Sequence, residues 1–442
     1  KAALAHQGVA HITIPKDIQG WTQDDDKKST ANIAHHSSDV YQNDYPAPAQ
    51  ASLQKAADLI NAGKKVVILA GRGALSARDE LIQLAEKVGG PIVKPLLGKA
   101  TVPDDSPYTT GGIGLLGTSA SENAMQAADT IIIVGSSFPY QEFLPRPDKA
   151  RGVQIDIKPT KLGLRFPVEL GLVGDAKKVL LALLPLIERK ADRSFLEEAQ
   201  KNMRAWRTLM ETRGTRQDMP MKPQVPAHQI NKFLASDALI VSDTGTVTTW
   251  AARHIMIKDR MQFSASGMLA SMGNGLPYAV GAAIGNPGRQ VVALVGDGGF
   301  TMLMGELATI VKYKLPVKIL LFRNNVLGEI KWEQLVMSAN PQFGVELEPI
   351  DFAAYARACG AGGFTLERPQ DCESILQQAF AHPGPALIDA IIDPNEPPMP
   401  GKIKTEMAIH FAEALAGGEK ERGAIVKTVV EDFLKEHVRE VV

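Results

Sequence analysis

Apolar residues in this chain fall into short unbroken runs set between longer amphipathic stretches. That is the pattern of strands buried on both faces and helices laid across them. Val66–Ala70, 131–134 and 152–157 read as strands, 91–95 as extended, and 51–62 (closed by Gly63) and Arg78–Val88 as helices. A second series follows, with a helix over 227–235 and strands over 238–242, 291–295, 317–322 and 386–392. Helices are expected there over 302–313, with Gly305 as its weak spot, and over 352–359 and 372–381. Alternating strands and helices predict the α/β class: two doubly wound parallel-sheet domains, then a C-terminal helical tail.

The strand tips carry the chemistry. Gly296-Asp297-Gly298-Gly299 follows one strand and Asn324-Asn325 ends the next, so a carboxylate and an amide reach the same edge, where open α/β sheets bind ligands. Glycines there let backbone approach a diphosphate, and the two side chains offer hard oxygens suited to Mg²⁺ or Ca²⁺. Asp243-Thr244-Gly245-Thr246 ends a further strand. In the first series Gly71-Arg72-Gly73, Gly135-Ser136-Ser137 and Asp156 end strands, an ensemble suited to a nucleotide lying across them.

Composition narrows this picture. The 442 residues carry a net charge of −1 and 39 glycines, which fits two or three α/β domains and gives no electrostatic case for nucleic acid. Two cysteines, Cys359 and Cys372, have neither metal-ligand nor disulfide spacing, which predicts reduced thiols and a cytoplasmic protein. No apolar run reaches the ~18 residues of a membrane span. His35 and His36 diverge as neighbours and read as linker.

The spacing from Gly296-Asp297-Gly298 through one helix and one strand to Asn324-Asn325 resembles the signature of thiamine-diphosphate enzymes. The resemblance implies Asp297, Asn324 and the Val326 carbonyl as Mg²⁺ ligands. It implies diphosphate contacts at Gly245, Thr246, Gly296, Asp297, Gly298, Gly299, Leu327 and Gly328. The aminopyrimidine is expected against Ala270, Ser271 and Met272, with the Ala270 carbonyl accepting from the amino group and Met272 forcing the bent cofactor. Arg323 departs from the family, which has asparagine there. The opening run Gly8-Val9-Ala10-His11-Ile12-Thr13-Ile14-Pro15-Lys16-Asp17 is similar to the last strand of a pyrimidine-binding domain, most of which, with its activating glutamate, would be absent.

Four further segments resemble the flavin domain of the pyruvate oxidase branch, including Leu96-Leu97-Gly98-Lys99. The implied FAD contacts are Gly71, Arg72 and Gly73; Gly114, Leu115, Leu116 and Gly117; Ser136, Ser137, Phe138 and Pro139; and Asp156, Ile157, Lys158 and Pro159. Acetolactate synthases carry an acidic run where this chain has Ser137-Phe138-Pro139-Tyr140. The expected domains are the end of a pyrimidine-binding domain (1–20), a linker (21–50), an FAD-binding middle domain (51–190), a second linker (191–226), a diphosphate-binding domain (227–400) and the tail (401–442).

The resemblance implies oxidative decarboxylation of pyruvate to acetate or acetyl phosphate, with electrons passing to flavin and then to quinone or oxygen. Catalytic roles fall on Met272 and on Glu333, which matches an acidic residue near the family's substrate pocket. Glu329 replaces a bulky aromatic, and Trp332 and Phe343 either line the pocket or fill core. A homotetramer is implied. Acetolactate synthesis with a non-redox flavin, and an inactive cofactor-binding fragment, remain as alternatives. Ile425, Val426, Val429, Val430, Phe433, Val438, Val441 and Val442 form an apolar stripe, read as a helix docked on its own subunit or as a peripheral contact with the inner face of the cell membrane.

Overall fold

The structure, a computed structural model, describes residues 3–4, 9–22, 47–398 and 405–437, with side chains in the last stretch described for 407–432. The chain divides into units Lys1–Ala47 and Pro48–Val442. In the first, the expected strand over 8–17 is not formed among the described residues; there is a short 3-10 turn, Ile18–Gly20. Val9 and Ile12 are exposed and join no ladder among the described residues, and extended backbone becomes a strand by laddering with another. Most of the 21–50 linker, with His35 and His36, lies outside the described residues.

The second unit holds two six-stranded, wholly parallel sheets. The first comprises β1 (Val66–Ala70), β2 (Ile92–Lys94), β3 (Thr109–Gly112), β4 (Thr130–Val134), β5 (Arg151–Asp156) and β6 (Leu170–Val173), in the order β3-β2-β1-β4-β5-β6. The other comprises β7 (Leu239–Ser242), β8 (Gln262–Ala265), β9 (Val291–Gly296), β10 (Val317–Arg323), β11 (Gly362–Leu366) and β12 (Ala386–Ile391), in the order β11-β12-β10-β9-β7-β8. Strand order reverses beside β1 and β4 in one and β7 and β9 in the other, which places a ligand crevice at each of those carboxyl edges.

The central strands were legible because both faces are buried: β1 and β4 are covered along their whole length, as are β7 and β12 almost entirely. The strands not expected from sequence, β3, β6, β8 and β11, are the four edge strands. Their sequences, such as Thr-Thr-Gly-Gly and Gln-Phe-Ser-Ala, lack a continuous apolar run. The helix expected over 302–313 is two, Asp297–Met302 and Glu306–Lys312, broken at Leu303–Gly305. The first begins directly at the strand tip.

The 191–226 linker is ordered and packed. Helix Ser194–Gly214 buries Met203, Trp206 and Met210 against Ala120. Lys222 Nζ lies 2.9 Å from both Asp393 Oδ2 and Glu396 Oε2, all three buried. The tail forms helices Thr405–Ala416 and Arg422–His437. Ile425 and Ala414 pack on Trp332 and Leu335, Thr428 donates to Asp393 at 3.3 Å, and Arg216 pairs with Asp432. The described tail therefore docks on its own chain. Of the predicted stripe, Val426 and Val430 face outward, while Phe433, Val438, Val441 and Val442 lie outside the described side chains. No helix among the described residues is long and apolar enough to cross a membrane.

Candidate active site

β9 and β10 run side by side with Phe322 opposite Gly296, so Asp297 and Asn324 leave the same edge of neighbouring strands. The Asp297 carboxylate is 4% exposed and accepts three backbone N–H groups. Oδ2 accepts from Asn324 at 3.1 Å and Asn325 at 2.6 Å, and Oδ1 from Gly298 at 2.9 Å. Asn325 takes a left-handed conformation (φ +55), which asparagine tolerates, and this turns its N–H toward Asp297. Asn324 Oδ1 accepts from Val326 N–H at 3.2 Å. Leu327 N–H and Asn325 C=O bond to Val345 and Leu347, bracing the loop from behind.

Burial pushes the Asp297 carboxyl up to about 6, against the opposing pull of its N–H donors. Among the described residues no cationic side chain pairs with Asp297, so a bound cation would supply the countercharge. The Asp297 carboxylate and the Asn324 amide oxygen stand at this edge; they are hard donors of the kind Mg²⁺ takes, and the Val326 carbonyl is the third ligand that the resemblance implies. Among the described residues no cluster of three His, Cys, Asp or Glu suits a metal, so such a site must recruit amide and carbonyl oxygens.

Space for a diphosphate lies alongside. Gly245 (φ +122) opens helix Thr246–His254, and a Cβ on Gly245 or Gly296 would meet nothing within 4 Å. A Cβ on Gly328 would lie 3.0 Å from Asn324 Nδ2 and 3.1 Å from Thr246 Cγ2, so these three residues converge. A Cβ on Gly298 would lie 2.8 Å from Leu327 and 3.6 Å from the terminal methyl of Met272, which brings Met272 over the same loop. Ala270 is left-handed (φ +50) and held by its N–H on the Ser266 carbonyl at 2.7 Å, while Ser271 N–H donates to Ser266 Oγ at 3.1 Å. That fixes the direction of the Ala270 carbonyl. Met268 and Leu269 beside it are 72% and 86% exposed.

The sequence marks Asp243 only as a strand tip. Its buried carboxylate accepts from Thr244 N–H at 2.7 Å and Gly273 N–H at 2.9 Å, joining the β7 tip to the 267–277 segment. A Cβ on Gly299 would stand 2.6 Å from Asp243 Oδ2, so a glycine is required where the two tips meet. The repeat of Asp and Gly at two strand tips was the available signal.

At the first sheet, the expected flavin contacts all lie on the carboxyl edge. Gly71 N–H donates to Val134 C=O at 2.9 Å and Gly73 N–H to Gly135 C=O at 3.0 Å. A Cβ on Gly71 would meet the Gly135 carbonyl at 2.5 Å, so Gly71 and Gly73 serve close packing between the β1 and β4 tips, and Arg72 is exposed between them. The Phe138 ring lies 3.1 Å from where a Gly114 Cβ would sit, bringing Ser136, Ser137, Phe138 and Pro139 against the loop Gly114, Leu115, Leu116, Gly117. Asp156 Oδ1 accepts from Lys158 N–H at 2.9 Å, turning Ile157, Lys158 and Pro159 along the same rim. Small residues and polar turns at the reversal of strand order fit a dinucleotide such as FAD.

Helix Gly328–Val336 distributes its acids unequally. Glu333 is exposed, whereas Glu329 has a buried Oε2 with no hydrogen-bond partner among the described residues, and burial pushes its carboxyl up to about 7. Trp332 fills core with the tail, and Phe343 is exposed. Arg253, not singled out in the sequence, is buried and donates to the carbonyls of Leu115 at 2.8 Å and Leu116 at 3.4 Å. Its place beside Trp250 and His254 on the buried face of a helix was the sign that it works inside.

Comparison with known proteins agrees with this geometry. Residues 53–183 match the thiamine pyrophosphate enzyme central domain, and residues 243–390 the thiamine pyrophosphate enzyme C-terminal TPP binding domain. YdaP of Bacillus subtilis (strain 168), named for containing thiamine pyrophosphate, is 37% identical over 413 residues, 93% of this chain and 70% of that protein. A pyruvate oxidase of Lactiplantibacillus plantarum is 31% identical over 416 residues, 93% and 68% of the two chains. A Methanocaldococcus jannaschii protein named as a probable acetolactate synthase large subunit is 32% identical over 428 residues, 89% and 68%. With two parallel-sheet domains matched in order, the chain belongs to the thiamine-pyrophosphate-dependent enzymes.

Proposed function

We propose that this chain works as a pyruvate oxidase: it binds thiamine diphosphate with Mg²⁺ on the second sheet and FAD on the first, and decarboxylates pyruvate oxidatively. The observation that carries this reading is the buried Asp297, an acid with no cationic side-chain partner among the described residues, beside a glycine-lined edge. Bound there, thiamine diphosphate would supply a carbon nucleophile for a 2-oxo acid and a sink for the electron pair left when that acid loses CO₂, and FAD would supply a two-electron acceptor. The residues of this chain do the holding. Asp297, Asn324 and the Val326 carbonyl anchor Mg²⁺; Gly245, Thr246, Gly296, Gly298, Gly299, Leu327 and Gly328 surround the phosphates; Ala270, Ser271 and Met272 position the pyrimidine.

The flavin would lie across residues 71–73, 114–117, 136–139 and 156–159. Glu333 would face substrate from the helix after the metal loop. Quinone or oxygen accepts the electrons. The exposed Met268 and Leu269 favour a homo-oligomer that covers them, with a tetramer expected. Contact of the tail with a membrane has less support, because Ile425 is spent inside the chain.

Acetolactate synthesis is the second reading, favoured by a relative named for it at 32% identity beside 31% for the pyruvate oxidase. Anaerobic addition of pyruvate to the full-length, cofactor-loaded protein separates them. Bleaching of the flavin absorbance is expected; an unbleached flavin with acetolactate formed would establish the carboligase.

A further inference from the structure

The helix Thr246–His254 has a different site at each end. At its start, Gly245 and Thr246 border the diphosphate space. Near its end, the Arg253 guanidinium enters the first-sheet domain and donates to two successive carbonyls, Leu115 at 2.8 Å and Leu116 at 3.4 Å. Those carbonyls belong to the tight loop at the tip of the first sheet, closed by Gly117 N–H on Gly114 C=O at 2.8 Å. A planar fork on adjacent carbonyls fixes direction as well as distance, which a lysine would not.

Burying a guanidinium is costly unless its charge is answered. Arg253 is 7% exposed, and no carboxylate forms an ion pair with it among the described residues. The charges it feels are Glu329, on the helix that follows the metal loop, and, with like sign, Arg213. Arg253 thus joins the loop 114–117 to its own helix and senses the charge of the helix that follows the metal loop. The rest of this junction does not depend on it. Lys99 Nζ donates to the Ala252 carbonyl at 2.9 Å, and Asp104 bonds Ile257 through N–H to C=O at 2.7 Å and through Oδ2 to N–H at 2.8 Å.

We propose that Arg253 is a positioning residue joining the two cofactor sites: it clamps the loop 114–117 to the helix that begins at the diphosphate, so that filling one site steadies the other. This rests on the cofactor reading above. A rigid helix about nine residues long transmits order from its first turn to its last, and a fork on two carbonyls passes that order to the loop.

Hydrogen–deuterium exchange of the full-length protein, with and without thiamine diphosphate and Mg²⁺, tests it. In the unaltered protein the cofactor should slow exchange at 245–248 and 297–299 and also at 114–118. In Arg253→Met the first two segments should still be protected, while 114–118 should exchange on the order of tenfold faster and ignore the cofactor. Arg253→Lys should give an intermediate response, and carries the same comparison should the methionine variant not fold. Protection at 114–118 persisting in both variants, or absent from the unaltered protein while 245–248 is protected, would overturn the clamp. No protection anywhere would instead overturn the cofactor reading on which it rests.

Discussion

The Asp297 carboxylate accepts the backbone N–H of Asn325 at 2.6 Å, tying the tip of β9 to the tip of β10. Two more N–H groups, from Asn324 and Gly298, complete the hold. Three backbone donors on one carboxylate hold this acidic corner in place. Asp297→Asn keeps an acceptor and the shape while removing the charge. The variant should fold, and its thiamine-diphosphate affinity in Mg²⁺ should fall at least roughly tenfold, measured by fluorescence titration.

Glu329 makes stability depend on pH. Its carboxyl is raised from 4.5 to about 7 by burial, so the folded chain holds this proton more tightly than the unfolded one. The stabilisation is therefore complete below about pH 4.5 and lost as pH rises through about 7. Glu329→Gln cannot lose a proton. Its stability should be flatter across that window and should exceed the parent's near pH 8 by on the order of 3 kcal/mol, read from denaturant titrations. Parallel pH profiles for the two proteins would count against a buried, neutral Glu329.

Gly299 stands where a side chain would strike Asp243. Gly299→Ala should force apart the tips of β7 and β9, destabilising the fold by about 1–3 kcal/mol and weakening diphosphate binding together with it. Thermal unfolding with and without the cofactor checks both effects. Gly305→Ala is the control, because a Cβ there meets nothing within 4 Å.

Ile425, fully buried against Trp332 and Leu335, is the apolar anchor of the tail. Ile425→Asp should cost about 3–5 kcal/mol locally and release helix Arg422–His437, seen as faster limited proteolysis there with the two sheets intact. A tail equally resistant in the variant would mean that the ion pair of Arg216 with Asp432 suffices to hold it.

Legibility in the sequence followed burial. Runs such as Val-Val-Ala-Leu-Val announce β9 because every side chain is inside. Edge strands such as β8 alternate exposure and include serine and glutamine, so they carry no comparable mark. At the site, Gly296-Asp297-Gly298 and Asn324 could be placed together since the strands bearing them are neighbours in sequence. Asp243 and Arg253 act through contacts spanning 30 and about 138 positions, beyond any local pattern. The unequal burial of Glu329 and Glu333 depends on how one helix rolls on its neighbours, which spacing alone leaves open.

The central claim, a divalent ion held between Asp297 and Asn324 to clamp a diphosphate, is tested most directly by calorimetric titration of thiamine diphosphate into the full-length protein, in Mg²⁺ and after its chelation. The account predicts binding that requires the ion and weakens in Asp297→Asn. Equal affinity with and without the metal would contradict it.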